Sequence, residues 1–385
     1  MINPKDKFPE ALLNEPIAKR LQYFKDVQID HLKHRVTFNH LVNSLNCAAG
    51  SKVIVVAGPT GVGKTTLARR LYRELQIKHA DATNKDVSMV PVIGVNAAPP
   101  SGRNFNWKDF YARILERNGD ILLNQKINLN GQGEMFTDTH CQPVEGSTAD
   151  VLRRSLEKCM KYRKTRYLII DEAHHILMVN DPTRLEYQFE MLKSMTIESD
   201  ITIILIGTYD LLKIRDYSGQ LVRRSEILSM NRYDANIKED REEFTSALEY
   251  FLNKMPLKIT PDFTNYREYF FIKCVGCIGI LKDWLTRVYG HALKDGLDTF
   301  DQKYANKFAL DNKGLITIID EALSGEMKLE DEPYEELVKL LIESDNQSTS
   351  TESQPLKQKM STEKKPRVGI RNPSRDQVGD NRHEG

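Results

Sequence analysis

Val53-Ile54-Val55-Val56-Ala57-Gly58-Pro59-Thr60-Gly61-Val62-Gly63-Lys64-Thr65 decides how this chain is read. An apolar run of strand length leads into a loop that fits G-x-x-x-x-G-K-[ST], and a helical pattern from Thr66 to Leu75 follows. Strand, glycine loop and helix in that order are the setting of a phosphate-binding loop. The glycines let successive backbone N–H groups turn toward a polyphosphate, and the helix N-terminus adds its positive end. Gly58, Pro59, Thr60, Gly61, Val62, Gly63, Lys64, Thr65 and Thr66 are the expected ATP contacts. Lys64 would reach the β- and γ-phosphates, and the Thr65 hydroxyl would ligate Mg2+.

Working outward, the neighbouring segments alternate in the manner of an α/β protein. Strands are expected at Met89–Val95, Tyr167–Ile170 and Ile201–Ile206, with helices at 107–117, 149–162 and near 185–195. Near-continuous apolar strands of this kind belong in a parallel sheet covered on both faces. Residues 1–48 read as a polar helical segment, 49–238 as the α/β domain, and 124–147 as an insertion loop or hairpin. From about Glu239 only helical patterns remain, so 239–342 is expected to be a small all-α lid. Residues 343–385 are rich in Ser, Thr, Gln, Lys and Pro and are expected to form a disordered tail. Within it, Lys364–Gly379 spaces Val368, Ile370 and Val378 among basic residues, as a solvated tail or a docking motif would.

Tyr167-Leu168-Ile169-Ile170-Asp171-Glu172 places two carboxylates at the end of a buried strand, beside the phosphate loop. Asp171 would hold Mg2+ through water, and Glu172 would orient and deprotonate the attacking water. His174 and His175 follow. Adjacent histidines on a helix point in different directions and no third ligand is evident, so a metal site is not expected there. Thr208, after the Ile201–Ile206 run, is placed to touch both the γ-phosphate and the water. Arg223 and Arg224, near the end of the α/β domain, would stabilise transition-state charge in a neighbouring subunit, Arg224 slightly ahead.

The set Asp171-Glu172-Ala173-His174-His175, Leu205-Ile206-Gly207-Thr208 and Gln220-Leu221-Val222-Arg223-Arg224, with Gly276-Cys277-Ile278-Gly279-Ile280-Leu281, resembles AAA+ ATPases of the TniB/TnsC branch. These are ATP-dependent regulators of cut-and-paste DNA transposition. The resemblance spans roughly residues 35–325. It implies a subunit that oligomerises on duplex DNA with ATP as a ring or helical filament. A target selector, in some cases a CRISPR effector with an adaptor, would recruit it. It would then recruit a transposase, and hydrolysis would remodel the assembly. Some relatives carry an arginine after the lid glycine; here Ile280 stands there, and Lys282 is the nearest candidate to contact nucleotide in its place.

Net charge is +1, so DNA contacts must be local. Arg103 and Lys108, beyond the second strand, and Lys126 in the insertion are the candidates for phosphate contact. Transposase is the expected partner of the tail motif, with non-specific DNA second. A replication initiator or loader of the same ATPase class is the alternative, but it often carries a winged helix after the lid. A STAND-type signalling scaffold would usually carry a long repeat or effector domain.

The five cysteines are scattered, which is not a disulfide framework. Cys274-Val275-Gly276-Cys277 lies between helical patterns and is expected to be buried structural thiols. Met1 to Glu10 is polar, and no apolar run approaches transmembrane length, so a cytoplasmic protein without membrane partners is expected.

Overall fold

Alternation along each strand assigns its side chains to two cores. In β1 (Val53–Ala57), Val53 and Val55 enter one core while Ile54 and Val56 enter the other. β2 (Val92–Asn96) sends Ile93 and Val95 to the first and Val92 to the second. β3 (Tyr167–Asp171) and β4 (Thr202–Gly207) divide Leu168 and Ile170 from Ile169, and Ile203 and Leu205 from Ile204 and Ile206. With both faces covered, the strands read as unbroken apolar runs.

The computed structural model describes residues 7–46, 52–100, 102, 104–119, 148–179, 182–213 and 225–348. The insertion 124–147, Arg103, Lys126, Arg223, Arg224 and the tail beyond residue 348 lie outside these. The strands form a five-stranded parallel sheet in the order β2-β3-β4-β1-β5, where β5 is Ser225–Ser229. One face is covered by α2 (Leu32–Asn46) and α3 (Lys64–Lys78). The other is covered by α5 (Trp107–Arg117), α6 (Ala149–Tyr162) and α7 (Pro182–Ser199). A short α4 (Ala80–Lys85) follows α3.

Two boundaries differ from expectation for local reasons. β2 begins after Pro91, which has no N–H to give; its carbonyl accepts from Arg166 and Tyr167. β5 was not anticipated at all. It is an edge strand with only Ile227 and Leu228 apolar, and all its residues are partly exposed.

The segment expected to be a lid forms α8 (Lys238–Asn253), α9 (Arg267–Lys273), α10 (Ile278–Lys294), α11 (Gln302–Asn306) and α12 (Asn312–Met327). The side chains of Asp301 and Asp311 cap α11 and α12, accepting from the amides of Tyr304 and Gly314. Its core is aromatic, built on Phe244, Phe270, Trp284 and Tyr289. Phe24 of α1 (Ile17–Asp26) is fully buried in that same core. Residues 1–48 are therefore divided: α1 joins the lid, while α2 packs on the sheet.

The chain splits into two units, Met1–Glu330 and Asp331–Gly385. The second unit contains α13 (Tyr334–Ser348), which the sequence grouped largely with the lid. No helix among the described residues is long and apolar enough to cross a membrane.

Candidate functional site

The parallel sheet brings the carboxyl ends of β1, β4 and β3 side by side, and the chemistry-bearing residues follow those ends. Ala57 pairs with Gly207, and the Gly58 amide donates to the Gly207 carbonyl at 3.3 Å. Gly61 and Gly63 take φ of +80° and +106°, which lets the loop curl before α3. Gly63 caps α3 without a side-chain hydrogen bond, and no acidic residue lies in the first turn. No backbone carbonyl among the described residues accepts from the amides of Gly61 to Thr66. Those free donors at a helix N-terminus fit the phosphates of a nucleotide.

Lys64 is buried, and its Nζ donates to the carbonyls of Gly58 at 3.0 Å and Pro59 at 2.8 Å. Burial lowers its pKa, while Glu172, Cys277 and Asp171 nearby oppose that shift. Thr65 and Asp171 both line one groove. Asp171 is itself buried and accepts the Glu172 amide at 2.9 Å.

Glu172 has φ of +53° and ψ of +33°, a left-handed conformation that an L side chain rarely adopts. The cost is of order 1–3 kcal/mol. The turn redirects the chain into a short 3-10 helix, Ala173–Leu177. The Glu172 carboxylate lies 3.4 Å from Nδ1 of His174. The two imidazoles face each other with centroids 4.2 Å apart. The expectation that adjacent histidines diverge is thus corrected: it assumed a regular α-helix, and the tighter turn sets the two rings side by side, tilted 44° to each other. Burial first, then His175, lowers the His174 pKa, against the pull of Glu172. Thr208 follows β4, between the phosphate loop and the Asp171-Glu172 turn, with its hydroxyl 3.5 Å from an Asp210 oxygen.

The first turn of α10 meets the loop. The Gly279 amide donates to the Gly61 carbonyl at 2.7 Å, and a Cβ on Gly279 would lie 2.3 Å from that oxygen. Gly276, at φ +69°, passes so close to Tyr233 that a Cβ would meet its carbonyl oxygen at 2.1 Å. Met230, just past β5, lies along the loop; a Cβ on Gly58 would be 2.4 Å from its carbonyl oxygen. These close contacts were not read from sequence, although the paired glycines 276 and 279 carry the signal. Cys274 and Cys277 are free and fully buried, as expected. Burial pushes the Cys277 thiol up to about 12, so it stays protonated and unreactive.

Lys282 does not turn to the loop. Its Nζ donates to the Phe24 carbonyl and sits 3.7 Å from the Phe24 ring centroid and 5.0 Å from that of Phe251. Two residues past Ile280, on another face of α10, it points at α1 instead, and the residue that meets the loop is Ile280, against Gly61. Lys108 lies in the first turn of α5, which the Asn106 side chain caps. Beside it runs a groove of about 920 Å³ along edge strand β2, lined by Arg69 and Arg73 of α3 and Arg113 and Arg117 of α5, together with Asp109, Glu116 and Asp171.

Residues 48–214 match the family model of the AAA domain. With the sheet order and the loop geometry, this identifies an α/β P-loop AAA fold. No curated protein sequence matches the chain. Among solved structures, the ORC2 protein of Aeropyrum pernix in its ADP form is similar at a TM-score of 0.49 and 17% identity, over 74% of this chain and 71% of that one. The Walker-type ATPase PABY2304 of Pyrococcus abyssi gives 0.44 and 16%, over 84% and 81%. RuvB of Thermotoga maritima gives 0.36 and 18%, over 71% and 68%.

Proposed function

We propose that this chain is a cytoplasmic ATPase that uses bound ATP to assemble on duplex DNA as a regulator of transposition. The observation that carries the ATPase reading is the convergence of Lys64, Thr65, Asp171, Glu172 and Thr208 on one edge of the sheet, beside unpartnered loop amides. Lys64 exchanges two loop carbonyls for phosphate oxygens. Thr65 and Asp171 supply the oxygen donors that suit Mg2+, which when bound offsets phosphate charge. Glu172 orients and deprotonates the attacking water, and Thr208 holds that water against the γ-phosphate.

Assembly is supported by the position of β5. Ser225, the residue after Arg224, pairs with Val53 at the amino edge of the sheet. That is about five residues, or ~16 Å of strand, from the phosphate loop. A residue at the start of β5 is thus remote from this copy's own loop, and the assembly reading gives the arginines that precede it a neighbouring copy's nucleotide, as in a ring or filament. We keep Arg224 and Arg223 in that role.

DNA binding is supported by the TniB/TnsC-like motifs and by the arginine-lined groove. Arg103, Lys108 and Lys126 are the proposed phosphate contacts. A target selector, with or without a CRISPR effector and adaptor, and a transposase are the proposed partners, the latter through the tail motif around Val368 and Ile370. Electron microscopy of the protein with duplex DNA and a non-hydrolysable ATP analogue tests this. Rings or filaments are expected, with binding that weakens steeply in salt and changes little with sequence. Particles that stay monomeric on DNA at saturating analogue contradict it.

A further inference from the structure

We propose that Glu172, His174 and His175 form a site for a transition-metal dication of the Zn2+ type, and that its occupancy withdraws Glu172 from water activation. The second clause rests on the ATPase reading above; the first does not.

One ligand atom from each of the three side chains lies within 4.8 Å of the other two. The left-handed turn at Glu172 brings this about by folding its carboxylate back over the 3-10 helix that carries both histidines. Zinc bonded at about 2.0–2.1 Å to tetrahedral ligands sets them about 3.3 Å apart. Glu172 Oε2 and His174 Nδ1 already stand at 3.4 Å. The two histidine rings, 4.2 Å apart between centroids, bring the His175 donor within 4.8 Å of the other two.

The second observation is the state of the imidazole nitrogens. Nδ1 of His174 and Nδ1 of His175 are both buried from solvent and neither makes a hydrogen bond. Buried polar atoms are nearly always partnered, and two orphans on neighbouring rings are costly. The His174 ring is also held in place, since Gly207 of β4 leaves room for it: a Cβ there would be 3.2 Å from Nδ1. A metal ion satisfies these lone pairs together.

The donor set separates this site from the Mg2+ site beside it. Mg2+ takes oxygen donors in near-octahedral geometry, which Thr65 and Asp171 offer. Two imidazoles and a carboxylate suit Zn2+, with a fourth position left for water. With one carboxylate oxygen bound to zinc, Glu172 is less basic and is held toward the histidines, away from the attacking water. The site would thus make hydrolysis sensitive to zinc while leaving ATP binding in place.

The test titrates Zn2+ alone into the full-length protein by calorimetry, and Co2+ by visible absorption, for wild type and His175→Ala. His175→Gln serves as a second variant if the first folds poorly. ATP hydrolysis is then measured at saturating Mg2+ with and without zinc. Wild type should bind zinc through this site at least about 10-fold more tightly than the histidine variants, since loss of even an outer-shell partner costs about 10–100-fold. Its hydrolysis should fall with zinc and return with chelator, while the variants keep their basal rate and resist zinc. Equal zinc affinity and equal zinc sensitivity in wild type and both variants overturn the proposal. Zinc that binds through His175 yet leaves hydrolysis untouched overturns its second clause. A wild-type rate in Glu172→Gln would instead sink the ATPase assignment, and the zinc titration would still read the site.

Discussion

The amide of Gly279 and the carbonyl of Gly61 are 2.7 Å apart, so the first turn of the lid's central helix is hydrogen-bonded to the phosphate loop. Any movement of the loop is therefore felt directly by that helix. A Cβ on Gly279 would push against Gly61 backbone at 2.3 Å, and backbone cannot swing aside as a side chain can. Gly279→Ala should separate lid from loop at a cost of about 1–3 kcal/mol. Titration with a fluorescent ATP analogue should find affinity reduced roughly tenfold or more, since each 1.4 kcal/mol is tenfold. Unchanged affinity would mean that the contact plays no part in nucleotide binding.

Lys282 and Phe24 tie α1 to the lid, at 3.7 Å from ammonium to ring centroid. Phe24 also packs edge-on against Tyr289 at 5.3 Å. Phe24→Ala should destabilise the protein by about 3–5 kcal/mol, as loss of a fully buried ring does. Lys282→Met, which keeps the packing of the stem, should leave ATP affinity within about twofold. Urea midpoints and nucleotide titrations read the two effects separately. Loss of ATP binding in Lys282→Met would restore Lys282 to the nucleotide site.

Arg232 and Glu326 form a two-pronged ion pair, at 2.9 and 3.0 Å, that joins the segment after β5 to α12. Next to it, Gly325 sits against the Tyr209 ring, so α12 packs beside Thr208. The pair is only partly exposed, so removing Glu326 leaves a poorly solvated guanidinium. Glu326→Ala should lower stability by about 1–3 kcal/mol, and the double variant with Arg232→Ala should recover part of that loss. Strict additivity in a double-mutant cycle would deny the coupling.

His31 adds a pH dependence. Burial first, then His34, holds its pKa down to about 3, and its Nδ1 lies 3.0 Å from the Tyr233 hydroxyl. In the unfolded chain the imidazole titrates near 6.5. Between about pH 6.5 and 3 the unfolded state therefore holds a proton that the folded state lacks, and stability falls as pH drops through that window. Above about pH 7.5 the group contributes no slope. From pH 6.5 to 5 the loss is about 2 kcal/mol. His31→Gln should flatten the fall in urea midpoint across that range; an unaltered slope would place the acid sensitivity elsewhere.

The strands of the sheet interior and the lid helices were legible because their patterns are local. Val53–Ala57 is apolar throughout, and α9 and α10 carry clear helical spacing with few breakers. β5 was not legible, because an edge strand needs few apolar residues and only pairing with β1 makes it a strand. The loop, Asp171 and Glu172 could be placed at one edge from sequence, since a parallel sheet puts all strand ends there. The facing of His174 and His175 could not, because it depends on one left-handed residue. The division of residues 1–48 between lid and sheet was equally hidden: it is a matter of long-range packing by Phe24 and Phe38.

The most direct measurement compares ATP binding and hydrolysis in wild type, Lys64→Ala and Glu172→Gln. Lys64→Ala loses the cation that meets the phosphates and should lose ATP binding. Glu172→Gln keeps the loop, Thr65 and Asp171, so it should bind ATP as wild type does. Its turnover should fall by about 10²–10⁴, the usual contribution of a general base. Wild-type turnover in Glu172→Gln, or undiminished ATP binding in Lys64→Ala, would contradict the site described.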